Sequence, residues 1–136
     1  MPNGPQPSVF QTAGGSSTAY TINVNSVQPG LLAPLSFVTN GAPNIVALFS
    51  NTSTYVLPVT LSGVSTALAK PDDNITLYGI VFGPVTPNIP AGQLVQQLNA
   101  LQLDFRITFA GVPAMVNYKG LGPGYTGLYQ FNVVVP

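Results

Sequence analysis

From Leu103 to Phe109 the chain reads LDFRITF, an unbroken alternation of apolar and polar side chains. Successive side chains of a β-strand point to opposite faces, so this period of two predicts a half-buried strand with its four apolar residues inside. Ala110-Gly111 predicts a tight turn after it, because glycine readily adopts the positive φ of such turns. The stretch from Val112 to Tyr118 then completes a predicted β-hairpin.

Short apolar and β-branched runs elsewhere predict further strands. They are Tyr20 to Val24, Ile45 to Phe49, Tyr55 to Leu61, Ile75 to Phe82 and Leu128 to Val135. The 14 glycines and 14 prolines between the runs indicate many turns rather than long helices. The sequence therefore predicts an all-β fold, and we expect an immunoglobulin-like two-sheet β-sandwich of about seven strands; a small barrel fits the same strand count.

Two segments allow more specific expectations. Pro58 cannot donate a ladder hydrogen bond, so we expect the strand from Tyr55 to Leu61 at a sheet edge or with a bulge. Residues 92–101, GQLVQQLNAL, carry apolar side chains at spacings that fit a short amphipathic helix. A loop that crosses between sheets fits them equally well.

The first residues differ in composition from the rest. Residues 1–19 are rich in Pro, Gly, Ser and Thr and lack apolar periodicity, so we expect a flexible N-terminal arm or linker there and the sandwich domain at 20–136. The start of the chain has neither the basic region nor the apolar stretch of a signal peptide. We interpret Met1 as the start of a fragment of a longer exported protein.

Composition argues against several classes of function. Hydrophobic residues make up 46% of the chain and charged residues 4%, with a formal net charge of +0. Such a surface cannot neutralise a row of phosphates, so nucleic acid is not an expected partner. No apolar run is long enough to suggest membrane insertion. Without His or Cys, imidazole bases, thiolate nucleophiles and their metal sites cannot be built. We expect no enzyme activity, no catalytic residue, no cofactor and no metal site.

The acidic residues are too few to suggest a catalytic or metal-binding site. Asp72, Asp73 and Asp104 are the whole supply of carboxylates, and the adjacent pair follows Pro71, which is typical of a turn. The oxygens of Asp72, Asp73 and Asn74 could contribute to a Ca²⁺ site, but such sites usually gather more carboxylates. We favour a solvated turn at these residues, and calcium binding stays an alternative.

The stretch Gly122 to Gly127, GPGYTG, matches the spacing of a dinucleotide-binding fingerprint. A strand rather than a helix is predicted after it, so no helix N-terminus would receive a pyrophosphate. We interpret the stretch as a tight connection between two strands. Tyr125 and Tyr129 beside it are the possible interaction residues, because exposed tyrosine rings can stack on a sugar.

The C-terminal part of the chain resembles a known domain family. Residues 109–114, FAGVPA, and 119–136, KGLGPGYTGLYQFNVVVP, resemble the end of a domain found at the C-termini of many long exported acidobacterial proteins. That family ends in G-L-x-P-G-y-x-G-L-Y-Q-x-N-v-x-V-P. The similarity extends upstream through 69–73, 77–78, 83–87 and 90–93, and so from about residue 20 to the end. The chain departs from the family at Asp72, where glycine is usual, and at 81–83, where Gly-Leu-Gly is usual.

The resemblance implies an immunoglobulin-like sandwich, an exported parent and a C-terminal position in it, with no catalytic residues. We therefore expect a non-catalytic structural or interaction module of a secreted or cell-surface bacterial protein. Its partner would be an unknown protein or glycan, and nearly uncharged sheet edges would permit self-association. The alternative is a carbohydrate-binding or adhesive module that uses exposed tyrosine side chains.

Overall fold

The computed structural model describes residues 2–136 and is all-β, with one 3-10 turn at Leu35–Phe37. The strands are β1 (Gly4–Ser8), β2 (Gln11–Thr12), β3 (Gly15–Ser16), β4 (Tyr20–Val24), β5 (Gly30–Leu31), β6 (Val38–Thr39), β7 (Ala42–Pro43), β8 (Ala47–Phe49), β9 (Tyr55–Val56), β10 (Thr66–Ala67), β11 (Asn74–Ile80), β12 (Val85–Thr86), β13 (Ala100–Leu101), β14 (Thr108–Phe109), β15 (Val112–Pro113), β16 (Met115–Leu121) and β17 (Tyr129–Val134). Only β11, β16 and β17 exceed five residues, so these three strands organise the fold.

The main sheet has seven strands in the order β10-β9-β8-β11-β17-β16, with β5 pairing on β11. All its pairs are antiparallel except β10 with β9. Five two-stranded ribbons complete the structure: β1-β4, β2-β3, β6-β7, β12-β13 and β14-β15. Among residues 2–136 the path of the main sheet is open, so the barrel alternative is not formed.

The core lies on one face of the central strands. On β17, Tyr129, Phe131 and Val133 are buried and the residues between them are half-buried, which is the period of two expected for a sheet face. In register with them on β11 are Gly79, Leu77 and Ile75. Phe131 is fully buried, with ring centroids 4.3 Å from Phe105 and 4.6 Å from Phe82. These three phenylalanines form the centre of the interior.

The stretch from Leu103 to Phe109 forms much less strand than predicted. Only Thr108–Phe109 pairs, with Val112–Pro113, across a turn in which Ala110 and Gly111 have φ 49° and 86°. The hairpin is thus confirmed, and Ala114 N still donates to Ile107 O at 2.9 Å. Beyond that bond the partner strand pairs with β17, so residues 103–106 have no strand partner. Alternate burial persists from Phe105 onward, whereas Leu103 is 42% exposed.

The other predicted strands are present, several of them shorter. Tyr20–Val24 is confirmed at full length. The strand predicted from Tyr55 ends at Val56 and pairs on both sides, with β8 and β10. The expected edge position is therefore wrong. Pro58 lies outside the ladder that it would have interrupted.

Residues 92–101 form a loop and not an amphipathic helix, and β13 lies at the end of this loop. The Val95 backbone pairs with the Gly-rich connection opposite it, its N–H donating to Tyr125 O at 3.0 Å and its carbonyl accepting from Gly124 N at 2.8 Å. A helix would need those groups for its own i to i−4 bonds. The segment closes one end of the interior, since Val95 is 1% exposed.

The predicted boundary at residue 20 falls inside a paired hairpin. β1 pairs with β4 from Gly4↔Val24 to Ser8↔Tyr20, and β2 and β3 continue the same hairpin towards its tip. We call residues 4–24 the N-terminal ribbon. None of its residues is buried, which fits the lack of apolar periodicity in its first part.

Two residues other than glycine, one in the turn after Pro71 and one after β11, have left-handed backbone. Asp72 has φ 71° and Val81 has φ 59°. Glycine adopts this region freely, whereas it is unfavourable for L-residues and rare for β-branched ones. The chain at Asp72 thus takes the conformation that glycine would give, with Asp73 N donating to Lys70 O at 3.1 Å across the turn.

Val81→Gly is expected to raise the free energy of unfolding by about 1 kcal/mol, because it relieves left-handed strain at a side chain that is already 44% exposed. Ile80→Gly is the matched control, since Ile80 is 45% exposed in the adjacent strand position, and it should lower stability. Urea unfolding measures both. A loss of stability for Val81→Gly would show that residue 81 is not strained.

Candidate interaction site

The N-terminal ribbon is a paired element with no buried residue. Phe10 N donates to Ser17 Oγ at 3.0 Å and Ser17 N donates to Phe10 O at 2.9 Å. These bonds join the β1-β4 ladder to the β2-β3 tip. Phe10 is 79% and Tyr20 is 71% exposed. The ribbon therefore offers apolar surface and backbone to whatever lies outside the domain.

The two edges of the ribbon differ. Pro5 and Pro7 have no N–H, so the antiparallel ladder can place them only at non-hydrogen-bonded positions, with their backbone groups directed away from β4. The outer edge of β1 is thus without donors at these two positions. Prolines of this kind protect a sheet edge from pairing.

The outer edge of β4 has no such protection. Thr21 and Asn23 pair with Pro7 and Pro5, so they too occupy non-hydrogen-bonded positions, and their N–H and C=O groups point outward. β1 is the only strand that pairs with β4 within residues 2–136. Residues 4–24 contain no charged side chain. This edge can accept another strand.

Tyr125 and Tyr129, the possible interaction residues named from the sequence, differ in their exposure. Tyr125 is 49% exposed, with its ring edge-to-face against Tyr78 at 6.4 Å. Tyr129 is 8% exposed and lies in the core, where its hydroxyl donates to the carbonyl of Gly83. Its ring is therefore not presented to a ligand, so Tyr125 is the exposed one of the two possible interaction residues.

Polar side chains line the face of the main sheet opposite the core. Thr76 Oγ1 lies 3.1 Å from Ser50 Oγ and donates to Asn132 Oδ1 at 3.3 Å, and Gln130 Nε2 donates to the same oxygen at 2.9 Å. Tyr78 is in register with Gln130 on this face. Tyr125, Tyr78 and the amide of Gln130 thus form an aromatic and polar cluster that could contact a sugar.

The surroundings of three tyrosine side chains change the pKa of their hydroxyl groups. Burial raises the pKa of Tyr78, Tyr118 and Tyr129 above the ordinary value of 10.0, and at Tyr78 the neighbouring Tyr125 and Tyr55 add to the rise. In each case the neutral form is the one that the fold favours.

Stability is expected to fall above about pH 10. Each raised pKa contributes stability that is fully present below the unfolded pKa and is lost as the pH rises through the folded one. The chain has no His, so little change is expected between about pH 6 and 8. Thermal unfolding against pH measures this, and Tyr78→Phe should reduce the alkaline loss. Equal losses in both proteins would exclude a contribution from Tyr78.

The aspartates are not brought together. Asp73 Oδ2 accepts from Lys70 N at 2.7 Å and Asp72 N donates to Val135 O at 2.9 Å, so the pair forms a turn against the last strand. Asp104 instead lines an open cleft of about 390 Å³ to which neither Asp72 nor Asp73 contributes. Within residues 2–136 no group of three His, Cys, Asp or Glu side chains could hold a metal ion. The same residues include no helix long and apolar enough to cross a membrane.

The Gly-rich stretch is the strand connection that was predicted. It joins β16 to β17, with Gly122 N donating to Leu128 O at 2.8 Å and with φ 83° and 68° at Gly124 and Gly127. No helix follows it. Its similarity to a dinucleotide-binding fingerprint is therefore accidental.

One important residue, Asn99, was not predicted. Its side chain is 6% exposed, accepts from Leu121 N at 2.7 Å and donates to Leu121 O at 2.9 Å. It thereby satisfies backbone groups on the edge of β16 as a neighbouring strand would. Nothing in its sequence context distinguishes it from the exposed amides Gln96 and Gln97.

Comparison of the chain with family models, with curated proteins and with solved structures gives no match.

Proposed function

We propose that this chain is a non-catalytic structural or interaction module, and that its N-terminal ribbon is the part that contacts other molecules. The observation that carries the proposal is the combination of a free β4 edge with exposed apolar side chains in an element that adds nothing to the core. Long unprotected edges are uncommon on protein surfaces, since they pair readily with other chains. A ribbon that serves no packing role is best explained by an external partner.

The setting of the module is part of the proposal. The family resemblance at the C-terminus and the low charge of the chain support export from a bacterium, and hence a place outside the cell or on its surface. An immunoglobulin-like two-sheet sandwich is proposed as the finer description of the fold. It is supported by the layer that Phe105 and Phe82 place against Phe131 on the main sheet.

Deletion of residues 1–24 tests whether the ribbon serves the fold or something outside it. The remaining chain is expected to melt within about 4 °C of the intact protein, because none of residues 2–24 is buried. Differential scanning calorimetry measures the change. A fall of more than about 10 °C would make the ribbon a part of the folded body and would remove the main support for the proposal.

Carbohydrate binding is the second candidate, and the cluster of Tyr125, Tyr78 and Gln130 is the observation that favours it. Tyr125→Ala should then abolish retardation of the protein in gels that contain soluble bacterial polysaccharides. Tyr20→Ala is the matched control, since it removes an exposed ring that lies outside the cluster. Identical migration of the intact protein with and without every polysaccharide would eliminate this candidate.

A further inference from the structure

We propose that the partner of the ribbon is a second copy of this chain, joined through antiparallel pairing of β4 with β4 about a two-fold axis at Ile22. This inference rests on the proposed function, since it names the partner of the interaction element. The result would be a four-stranded sheet in the order β1-β4-β4-β1. A two-stranded ribbon is marginally stable alone, and three or more strands with a shared apolar face are the usual remedy.

Backbone geometry selects the register. The outward groups of β4 belong to Thr21 and Asn23, so these must be the hydrogen-bonded positions of the new ladder. With the axis at Ile22, Thr21 of each copy lies opposite Asn23 of the other, and both outward-facing residues of each chain are satisfied. Displacing the axis to Thr21 would place Asn23 opposite Ala19, beyond the end of β4.

Side-chain chemistry agrees with this register. Tyr20, Ile22 and Val24 share one face of β4, and antiparallel self-pairing places Tyr20 opposite Val24 and Ile22 opposite Ile22. Polar residues oppose polar ones on the other face. Since residues 4–24 carry no charge, no like charges meet across the axis. The strand is thus complementary to itself at every position from 20 to 24.

Pro5 and Pro7 explain why such a sheet would stop at four strands. Each outer edge of the dimer is a β1 strand whose outward positions at these residues have no N–H to donate. An isologous contact uses the same patch on both copies and closes the assembly. The ribbon therefore defines a dimer and not an open-ended fibre.

Cysteine cross-linking tests the register directly, because the natural chain has no cysteine. In the proposed dimer the Ile22 pair is non-hydrogen-bonded, with Cα atoms about 4.5 Å apart, which suits a disulfide. Ile22→Cys should form disulfide-linked dimers under mild oxidation at least about 10 times faster than Tyr20→Cys. The Tyr20 Cα atoms would lie about 14 Å apart, too far for a disulfide. Equal rates, or no dimer from Ile22→Cys, would overturn the proposal.

Proline exchange tests the hydrogen bonds. Thr21→Pro with Asn23→Pro removes only outward N–H groups, so circular dichroism should stay unchanged while light scattering shows a monomer over the range in which the natural chain dimerises. Pro5→Thr with Pro7→Thr restores donors to the outer edge and should produce assemblies larger than a dimer. A natural chain that stays monomeric at millimolar concentration, or a dimer that survives the proline exchange, would refute the β4 pairing. Neither result would affect the melting comparison that tests the proposed function.

Discussion

Phe131→Ala is expected to lower the free energy of unfolding by about 3–5 kcal/mol, a large part of the total for a domain of this size. Phe131 is 0% exposed, stacks on Phe105 with the ring planes 12° apart, and meets Phe82 edge-on. Its removal leaves a cavity beside the rings of Phe82 and Phe105. Urea unfolding monitored by circular dichroism gives the value.

Phe10→Ala is the matched control for that measurement. It makes the same chemical change at a ring that is 79% exposed, and it should alter stability by less than about 0.5 kcal/mol. Phe105→Ala should fall between the two, at about 1.5–3 kcal/mol, since its ring is only half-buried. A loss below 1 kcal/mol for Phe131→Ala would mean that the interior lies elsewhere.

Asn99→Ala is expected to cost about 2–3 kcal/mol without changing any apolar contact of the core. The substitution leaves Leu121 N without its acceptor in a buried position, whereas Leu121 O keeps the bond that Tyr118 Oη donates at 2.8 Å. The cost is therefore mainly that of one buried, unsatisfied N–H group together with the lost amide packing.

Asn25→Ala controls for the loss of an asparagine side chain as such. Asn25 is exposed and bonds only to the side chain of Gln28, at 2.6 Å, so its removal should cost less than about 0.5 kcal/mol. Chemical denaturation of the two variants measures the difference. Equal stabilities would show that Asn99 is not the partner that β16 requires at its edge.

Local patterns in the sequence predicted the parts of the fold that depend on neighbouring residues. The Ala110-Gly111 turn, the strand at Tyr20–Val24 and the connection at Gly122–Gly127 were all predicted correctly. In each case a few adjacent residues decide the backbone conformation.

Features that depend on distant segments were not predictable from one sequence. Residues 103–106 alternate as a strand does, yet they have no strand partner, because β17 takes the strand that would have paired with them. The edge position expected for the strand at Tyr55 was wrong for a different reason, since the strands directly before and after it in the chain pair on its two sides. The burial of Asn99 and Tyr129 was not predictable either, since it depends on the strands that pack over these side chains.

The ribbon was predictable only in part. The composition of residues 1–19 indicated that they would not enter the core, but it did not indicate that β1 pairs with β4. That pairing requires the prolines of β1 to occupy positions whose backbone groups point away from β4. Pro5 and Pro7 are spaced by two residues in the sequence, and this spacing is the signal that could have identified a one-sided edge strand.

Residue-resolved amide hydrogen exchange at two protein concentrations tests the central claim most directly, because it separates a packed body from a ribbon with one open edge. We expect the amides of β11 and β17 to exchange slowest at both concentrations, and those of Thr21 and Asn23 to exchange fast when dilute and to become protected when concentrated. Protection of Thr21 and Asn23 equal to that of Ile22 in dilute solution would contradict the account, since the β4 edge would then already be covered within a single chain.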